Sequence, residues 1–479
     1  MKNIEAKFRS DLELNQKTKI KDQIPFTCSI TGKEFDDKTK VTKVTDVKSQ
    51  KKKVVLGAKG SYFLEDFIPS SKKPLTFVCI NIHVFQNSQG GNNFQQCDVS
   101  RIIQIVDWSN GIFFAFNNAP SDTVICNSHT IPQQKIDSRI RFVINRIEFY
   151  RDNVLNSQIY PNAHIAFANA MNQRDPNMRN QLNVFLTGAS STPYVNTLPS
   201  SNPNEDSYVT MSSTFNDSNR DFSASLTLAH ELGHVFGLRH TYTGNCPPVT
   251  DEADNFYMFD IFGCGTDKII PLIGGWSTEP FAADRDGIMN NIMGGSYKAG
   301  WLSTLQIAQM YYNIQNMHVK KYVNCCCKFS KCAFGAKIDR LKSAGSETLL
   351  EYTHTYVNYS WAFDGKYFTA PCDGLYMFSV FFQKDSLVDE GTPNDVWIHL
   401  MTSDDQILGT AWSEKSDQKT SWSPGVQQFG RRDSVGFSNI FDLKKGTMLR
   451  TIVKSDGDSF RNICDVNFSG HLIFNKNNY

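Results

Sequence analysis

One stretch constrains this chain more than any other: His230-Glu231-Leu232-Gly233-His234-Val235-Phe236-Gly237-Leu238-Arg239-His240. Its spacing is H-E-x-x-H-x-x-G-x-x-H. On a helix, residues four apart lie about 40° from each other around the axis. His230 and His234 therefore project from one face and can share a metal ion. Glu231 lies beside them and can reach a water held by that ion as a general base. Gly237 can take φ > 0, which ends a helix at low steric cost. The chain then turns, so that His240 can supply a third ligand. Three protein ligands and one open position are the pattern of a catalytic zinc site with one ion. The flanking Ala224, Leu226, Leu228, Ala229, Leu232, Val235 and Phe236 make this helix apolar on most faces, as a central core helix requires. Asp221 or Ser223 is the expected N-cap.

The long form of the motif resembles the metzincin clan of zinc endopeptidases. Such proteins carry a methionine in a tight turn beneath the zinc. Asn290-Asn291-Ile292-Met293-Gly294-Gly295 fits that turn, with Met293 preferred over Met289 because glycines follow it. Within the clan the chain is similar to the pappalysin-type group. His240-Thr241-Tyr242-Thr243-Gly244-Asn245-Cys246 resembles the stretch after the third histidine, and Leu302-Ser303-Thr304-Leu305-Gln306 resembles the start of the last helix. Ser303 and Gln306 also form an S-x-x-Q capping box. The resemblance covers roughly residues 74–320 and implies a zinc-dependent protease acting on proteins or peptides. It departs at one position: the group's transition-state tyrosine, two residues after the methionine, is Gly295 here. Tyr297, two further on, is the candidate stabiliser.

The last third reads differently. Tyr367-Phe368-Thr369-Ala370-Pro371-Cys372-Asp373-Gly374-Leu375-Tyr376-Met377-Phe378 resembles the F-T-x-P-x-x-G-x-Y-x-F signature of complement-q-type globular heads. Phe468-Ser469-Gly470-His471-Leu472-Ile473-Phe474 resembles their closing strand, and Trp361 to Asp364 the strand before the signature. The alternation of aromatics has the period of half-buried strands. The resemblance implies a ten-stranded jelly roll related to tumour necrosis factor, a protein or glycan ligand, and a homotrimer. No collagen-like stem precedes the head.

The fold class expected is therefore α+β: a metzincin-like domain of mixed sheet plus active-site helix, followed by an all-β jelly roll. The expected divisions are 1–73, a basic segment or propeptide-like module; 74–322, the catalytic domain; 323–332, a cysteine-rich linker; and 333–479, the head. Strands are expected at 75–85, which reads as buried, and at 140–149, 182–186 and 208–212. The last is the candidate edge for an extended substrate. Asp98 is the expected cap of a helix containing Val99, Ile102, Ile103 and Val106. Residues 304–316 form the closing helix.

Composition narrows the functions. The net charge of +1 gives no general electrostatic case for nucleic acid or membrane surfaces. Residues 1–73 are locally basic, with seventeen Lys and Arg against ten Asp and Glu, which reads as a solvated loop. No run of about 18 apolar residues suggests a membrane span. Met1 to Arg9 lacks the apolar core of a secretory signal. The architecture nonetheless favours an extracellular or surface setting. Among twelve cysteines, Cys246 and Cys264 can close a loop, Cys28 reads as a structural cysteine in preference to a zinc-blocking thiolate, and Cys325, Cys326, Cys327 and Cys332 match no zinc spacing. Asp251, Glu252, Asp254, Asp284 and Asp286 lack EF-hand spacing, so turns are preferred to a calcium site. The rival to an active protease is an inactive adhesion protein that works through its head.

Overall fold

In a computed structural model of the chain, the described residues are 64–70, 72–114, 123–126, 129–131, 137–158, 176–189, 193–195, 199–212, 220–240, 291–294, 300–324, 332–341, 347–385, 395–413, 432–455 and 463–476. Two compact units are present, one formed mainly by residues 77–325 and one mainly by 326–479.

The first unit is built on a five-stranded sheet. Its strands are β1 (Thr76–Gln86), β4 (Ile140–Arg151), β5 (Leu182–Leu186), β6 (Tyr194–Val195) and β7 (Tyr208–Met211). A separate ribbon pairs β2 (Thr123–Cys126) with β3 (His129–Ile131). The sheet order is β4-β1-β5-β7-β6. β1, β5 and β7 run parallel, and β6 pairs antiparallel with β7. Nearly every residue of β1, β5 and β7 is buried on both faces, as parallel strands with both faces covered require. Two helices pack together beside this sheet: α1 (Val99–Phe113) and α3 (Asp221–Val235). The Ser109 hydroxyl donates to the Ser225 carbonyl (2.9 Å), and the Trp108 ring meets Phe222 edge-on. Phe142 of β4 packs edge-on against Phe113 of α1, so the Phe142 face of β4 looks toward the helices. The short helix α2 (Asn153–Asn156) is capped by Asp152, whose carboxylate accepts from the amides of Val154 and Leu155. α4 (Thr304–Asn316) and α5 (Lys320–Asn324) end the unit. Phe67 meets Tyr312 edge-on and the Lys73 ammonium lies over the Tyr311 ring, so the end of the basic N-terminal segment packs on α4.

Three local expectations need correction. Asp98 occupies the N-cap position of α1, but its carboxylate turns back to the Gln95 amide (2.8 Å) and pairs with Arg101 rather than capping the helix. The N-cap residue of α3 is Arg220, not Asp221 or Ser223. Asp221 instead receives a two-point contact from Arg101 (2.8 and 3.1 Å), an ion pair that ties the first turn of α3 to α1. Finally, β7 is not the edge of its sheet where β6 covers Val209 and Thr210.

The second unit is a jelly roll of ten strands among the described residues. They are β8 (Ala333–Arg340), β9 (Glu347–Leu349), β10 (His354–Tyr359), β11 (Tyr367–Thr369), β12 (Gly374–Asp385), β13 (Val396–Thr402), β14 (Ile407–Ser413), β15 (Arg432–Leu443), β16 (Met448–Ser455) and β17 (Ile463–Asn475). One sheet has the order β10-β8-β17-β12-β15; the other is β11-β16-β13-β14, with β9 added on β16. Among the described residues, the strand pairings in both sheets are antiparallel. Between the sheets lies an aromatic cluster. Phe334 stacks on Phe363 (4.6 Å) and meets Phe468 edge-on (4.8 Å), while Phe368 and Phe378 meet at 5.0 Å. Alternation in β12 explains it: Tyr376, Phe378, Val380 and Phe382 are buried, and the residues between them are not. The segment Trp361 to Asp364 follows a turn at Ser360 and Trp361 and pairs antiparallel with β11 only through an isolated bridge, Phe363 to Phe368, so it is shorter than the expected strand. Ser360 and Trp361 have φ of 65° and 51°, and the Asp364 carboxylate accepts from the amides of Lys366 and Tyr367. The fold class is α+β with an all-β C-terminal unit. Among the described residues no helix is long and apolar enough to cross a membrane.

Candidate metal centre

α3 is buried along almost its whole length, so its polar side chains at the C-terminal end have to find partners inside the protein. His230 and His234 solve this in the same way. The Nδ1 of His230 lies 2.7 Å from the Ile292 carbonyl, and that of His234 lies 2.7 Å from the Leu238 carbonyl. A carbonyl only accepts, so each Nδ1 carries the proton. In the neutral ring, Nε2 is then a bare lone pair.

The helix ends where the motif places a glycine. Gly237 has φ of +92°, and its amide donates to the His234 carbonyl (2.8 Å) while the Leu238 amide returns to Gly233 (3.0 Å). Any side chain there would strike the Asn313 amide, which an added Cβ would approach to 2.1 Å. The turn swings His240 back over the helix. The three Nε2 atoms of His230, His234 and His240 then stand 3.1 Å from one another.

This geometry can be tested against a metal. Three nitrogens bound at 2.0–2.1 Å around a tetrahedral centre are about 3.3–3.4 Å apart, close to the spacing seen. His230 and His234 cannot hydrogen-bond each other through Nε2, because both protons are on Nδ1. Two lone pairs facing each other at 3.1 Å repel unless a cation lies between them. All three rings are buried, and burial pushes His230 down to about 4 despite its carbonyl partner. His234 and His240 lie well below the ordinary histidine value, through burial first and the neighbouring imidazoles second. The rings are therefore neutral at neutral pH, the form that binds metal. Among the described residues no other group of three His, Cys, Asp or Glu side chains converges in this way.

Glu231 follows His230 on the same helix and is 1 % exposed. Met293 is fully buried in a tight turn. Its amide donates to the Asn291 side chain (3.0 Å), and the Gly294 amide closes on the Asn291 carbonyl (2.7 Å). α3 passes over this methionine at Gly233, where an added Cβ would lie 2.5 Å from the Met293 sulfur. Tyr297, Met289, the acidic stretch 251–286, Cys28, Cys246, Cys264 and Cys325 to Cys327 lie outside the described residues. Cys332 is a buried free thiol whose pKa burial raises, opposite to the lowering that a zinc thiolate needs.

Sequence reasoning missed the groups behind the histidines. These are the Ile292 and Leu238 carbonyls, Asn291, and the inward-facing role of Gln306 and Asn313. The S-x-x-Q pattern was the available signal, and it reads only as a helix cap.

A model of the peptidase M43 family, described as pregnancy-associated plasma protein-A, matches residues 169–260. That span contains the whole histidine motif and stops before Met293. No curated protein matches the chain. Among solved structures, the globular domain of zebrafish complement 1qA aligns at 15 % identity over 31 % of this chain and 100 % of its own, with a TM-score of 0.23. Murine APRIL aligns at 7 % identity over 29 % of this chain and 99 % of its own, with a TM-score of 0.21. Eiger TNF from S. frugiperda aligns at 12 % identity over 30 % and 93 %, with a TM-score of 0.20. The jelly roll itself rests on the strand order described above.

Proposed function

We propose that this chain is a zinc-dependent endopeptidase whose C-terminal head selects where it acts. The observation that carries this is the triangle of Nε2 atoms, 3.1 Å on each side, with the Nδ1 protons of His230 and His234 committed to carbonyls. The similarity of residues 169–260 to a zinc peptidase family supports the same reading. His230, His234 and His240 are the residues that hold one zinc ion. Bound there, zinc supplies a Lewis acid that acidifies water and polarises a scissile carbonyl.

The remaining work falls to the chain. Glu231 takes a proton from the attacking water at its carboxylate and later gives it to the nitrogen of the leaving amine. Its burial beside the histidines keeps that proton transfer away from bulk solvent. Met293 supports the floor of the site beneath Gly233. Tyr297 is the proposed stabiliser of the charged transition state. An extended peptide is the proposed substrate, laid through its main chain along β6, the outer strand on that side of the sheet.

The head, residues 333–479, is proposed to bind a protein or glycan and to associate with further copies as a trimer. Self-association is supported by the outer surface of the β10-β8-β17-β12-β15 sheet, where Tyr356, Phe381, Ile440 and Ile473 are each about half exposed. Tethering raises the local concentration of a large target without altering the chemistry.

Glu231→Gln tests the catalytic reading. The variant should keep one zinc per chain and lose about 10²–10⁴-fold in kcat on a denatured protein substrate. Equal hydrolysis by variant and wild type would remove Glu231 from the mechanism. A metal-loaded wild type that hydrolyses nothing would leave adhesion through the head as the function.

A further inference from the structure

We propose that Gln306 and Asn313, two buried amides on α4, are positioning residues that set the orientation of His230 and His234 and hence the affinity of the site for its ion; this rests on the zinc reading above. The two lie seven residues apart, which on a helix returns to nearly the same face. They are 0 % and 4 % exposed. Apolar side chains would be the ordinary choice on the buried face of such a helix, because a buried amide costs free energy unless every polar atom is satisfied. Here each amide is spent on a segment that carries a histidine's carbonyl partner.

Gln306 reaches the turn before Met293. The Asn291 side-chain amide donates to Gln306 Oε1 (2.8 Å), and Gln306 Nε2 donates back to Asn291 Oδ1 (3.0 Å). The same Asn291 oxygen accepts the Met293 amide (3.0 Å), so Asn291 clamps both sides of Ile292. The Ile292 amide is fixed to the Trp301 carbonyl (2.9 Å). That leaves the Ile292 carbonyl aimed at His230 Nδ1, 2.7 Å away. Gln306 is itself held by the capping box: its Oε1 accepts the Ser303 backbone amide (2.9 Å), and its backbone amide donates to the Ser303 hydroxyl (3.1 Å).

Asn313 does the matching task two turns later. Its Nδ2 donates to the Phe236 carbonyl (2.7 Å), the group left over where α3 ends. Its Oδ1 accepts from Gln309 (3.3 Å). Phe236 precedes the Gly237 turn, and Leu238 follows it with the carbonyl that holds His234 Nδ1 at 2.7 Å. One face of one helix thus fixes both carbonyls, both ring tautomers and both metal-facing nitrogens. Groups that orient metal ligands in this way change affinity by about 10–100-fold when removed.

The test uses the full chain with Gln306→Ala, Asn313→Ala and, as a control, Ser303→Ala. Gln306→Met, which keeps the side-chain length, replaces the alanine variant if that one does not fold. Three readouts are needed: the zinc dissociation constant by competition with a coloured chelator, the visible spectrum of the cobalt-substituted site, and the melting temperature without metal. The Gln306 and Asn313 variants should bind zinc about 10–100-fold more weakly and show an altered cobalt spectrum. Ser303→Ala removes only the hydroxyl that caps the helix and keeps the Ser303 backbone amide that holds Gln306 Oε1, so it should lower the melting temperature and leave zinc affinity and spectrum as in wild type. If the Gln306 and Asn313 variants melt earlier but bind zinc as tightly with an unchanged spectrum, the amides only stabilise α4 and the proposal fails while the zinc reading stands. A wild-type chain that binds neither zinc nor cobalt overturns both.

Discussion

The sheet of the first unit and the sheets of the head use the same strand geometry and bury it differently. β1, β5 and β7 are covered on both faces, and that cover includes Asn81, His83 and Asn183. Such groups must be paired. Asn81 donates to Gln181 (2.7 Å) and Asn183 (3.1 Å), and the Asn183 oxygen also meets His83 Nε2 (3.0 Å). In the head, by contrast, strands such as β12 bury every second residue, and the interior is a cluster of phenylalanine and tyrosine rings. The contrast shows what chemistry demands of a fold. Histidines and amides held in a dry interior need specified partners, so the unit around them is a network of directional contacts. The interior of the second unit needs none, because apolar burial makes a rigid frame without specified partners.

The comparison can be broken most forcefully in the head. Phe468 is fully buried against Phe334 and Phe378. Phe468→Ala should cost about 3–5 kcal/mol of head stability, measured by hydrogen exchange of the β12 and β17 amides, with zinc content unchanged. A parallel loss of zinc would mean that the units depend on each other.

A smaller effect separates the two interiors through one added methyl group. At Gly470 a Cβ would lie 2.5 Å from the Phe378 ring and 2.7 Å from the Phe334 ring. Two rigid rings cannot yield, so Gly470→Ala should cost about 3 kcal/mol, the upper end of overpacking penalties. At Gly233 the obstacle is the Met293 thioether, which can bend. Gly233→Ala should therefore cost about 1 kcal/mol, yet it should weaken zinc binding because it moves the floor of the site. Equal melting temperatures for the two variants, or unchanged zinc affinity in Gly233→Ala, would contradict this ranking.

Acid gives the mildest distinction. Burial, the largest cause, lowers His230 to about 4 and lowers His234, His240 and His318 from the usual 6.5. The unfolded chain then binds more protons than the folded one below pH 6.5, so stability rises with pH across this window and falls on acidification toward 4. The first unit should lose stability between pH 6.5 and 4, and lose zinc only as it unfolds. The head contributes His399 to this window, lowered mainly by burial. Its lowered carboxylates, Asp339, Asp373 and Asp404, add stability that is lost only below the ordinary value of 3.8. Melting curves at pH 7, 5.5 and 4 followed in both units check this; a head that fails first would reverse the comparison.

Much of this architecture was legible in the chain of letters, because it depends on neighbours a few residues apart. Helical period alone puts His230 and His234 on one face, and Gly237 marks the turn that returns His240. Ser303 and Gln306 announce the start of α4, and strict alternation marks the aromatic face of β12. Other features could not be read that way. Arg101 draws Asp221 away from capping across 120 positions of sequence, and β6 covers the strand that looked like an edge. Ile292 serves His230 across 62 positions, and Gln306 reaches Asn291 across 15. Sequence determined which residues could be metal ligands, since ligand chemistry and helical spacing are local properties. Tertiary structure decided which nitrogen of each ring faces its partners, because a tautomer is fixed by whichever carbonyl the packed chain brings to the other side of the ring.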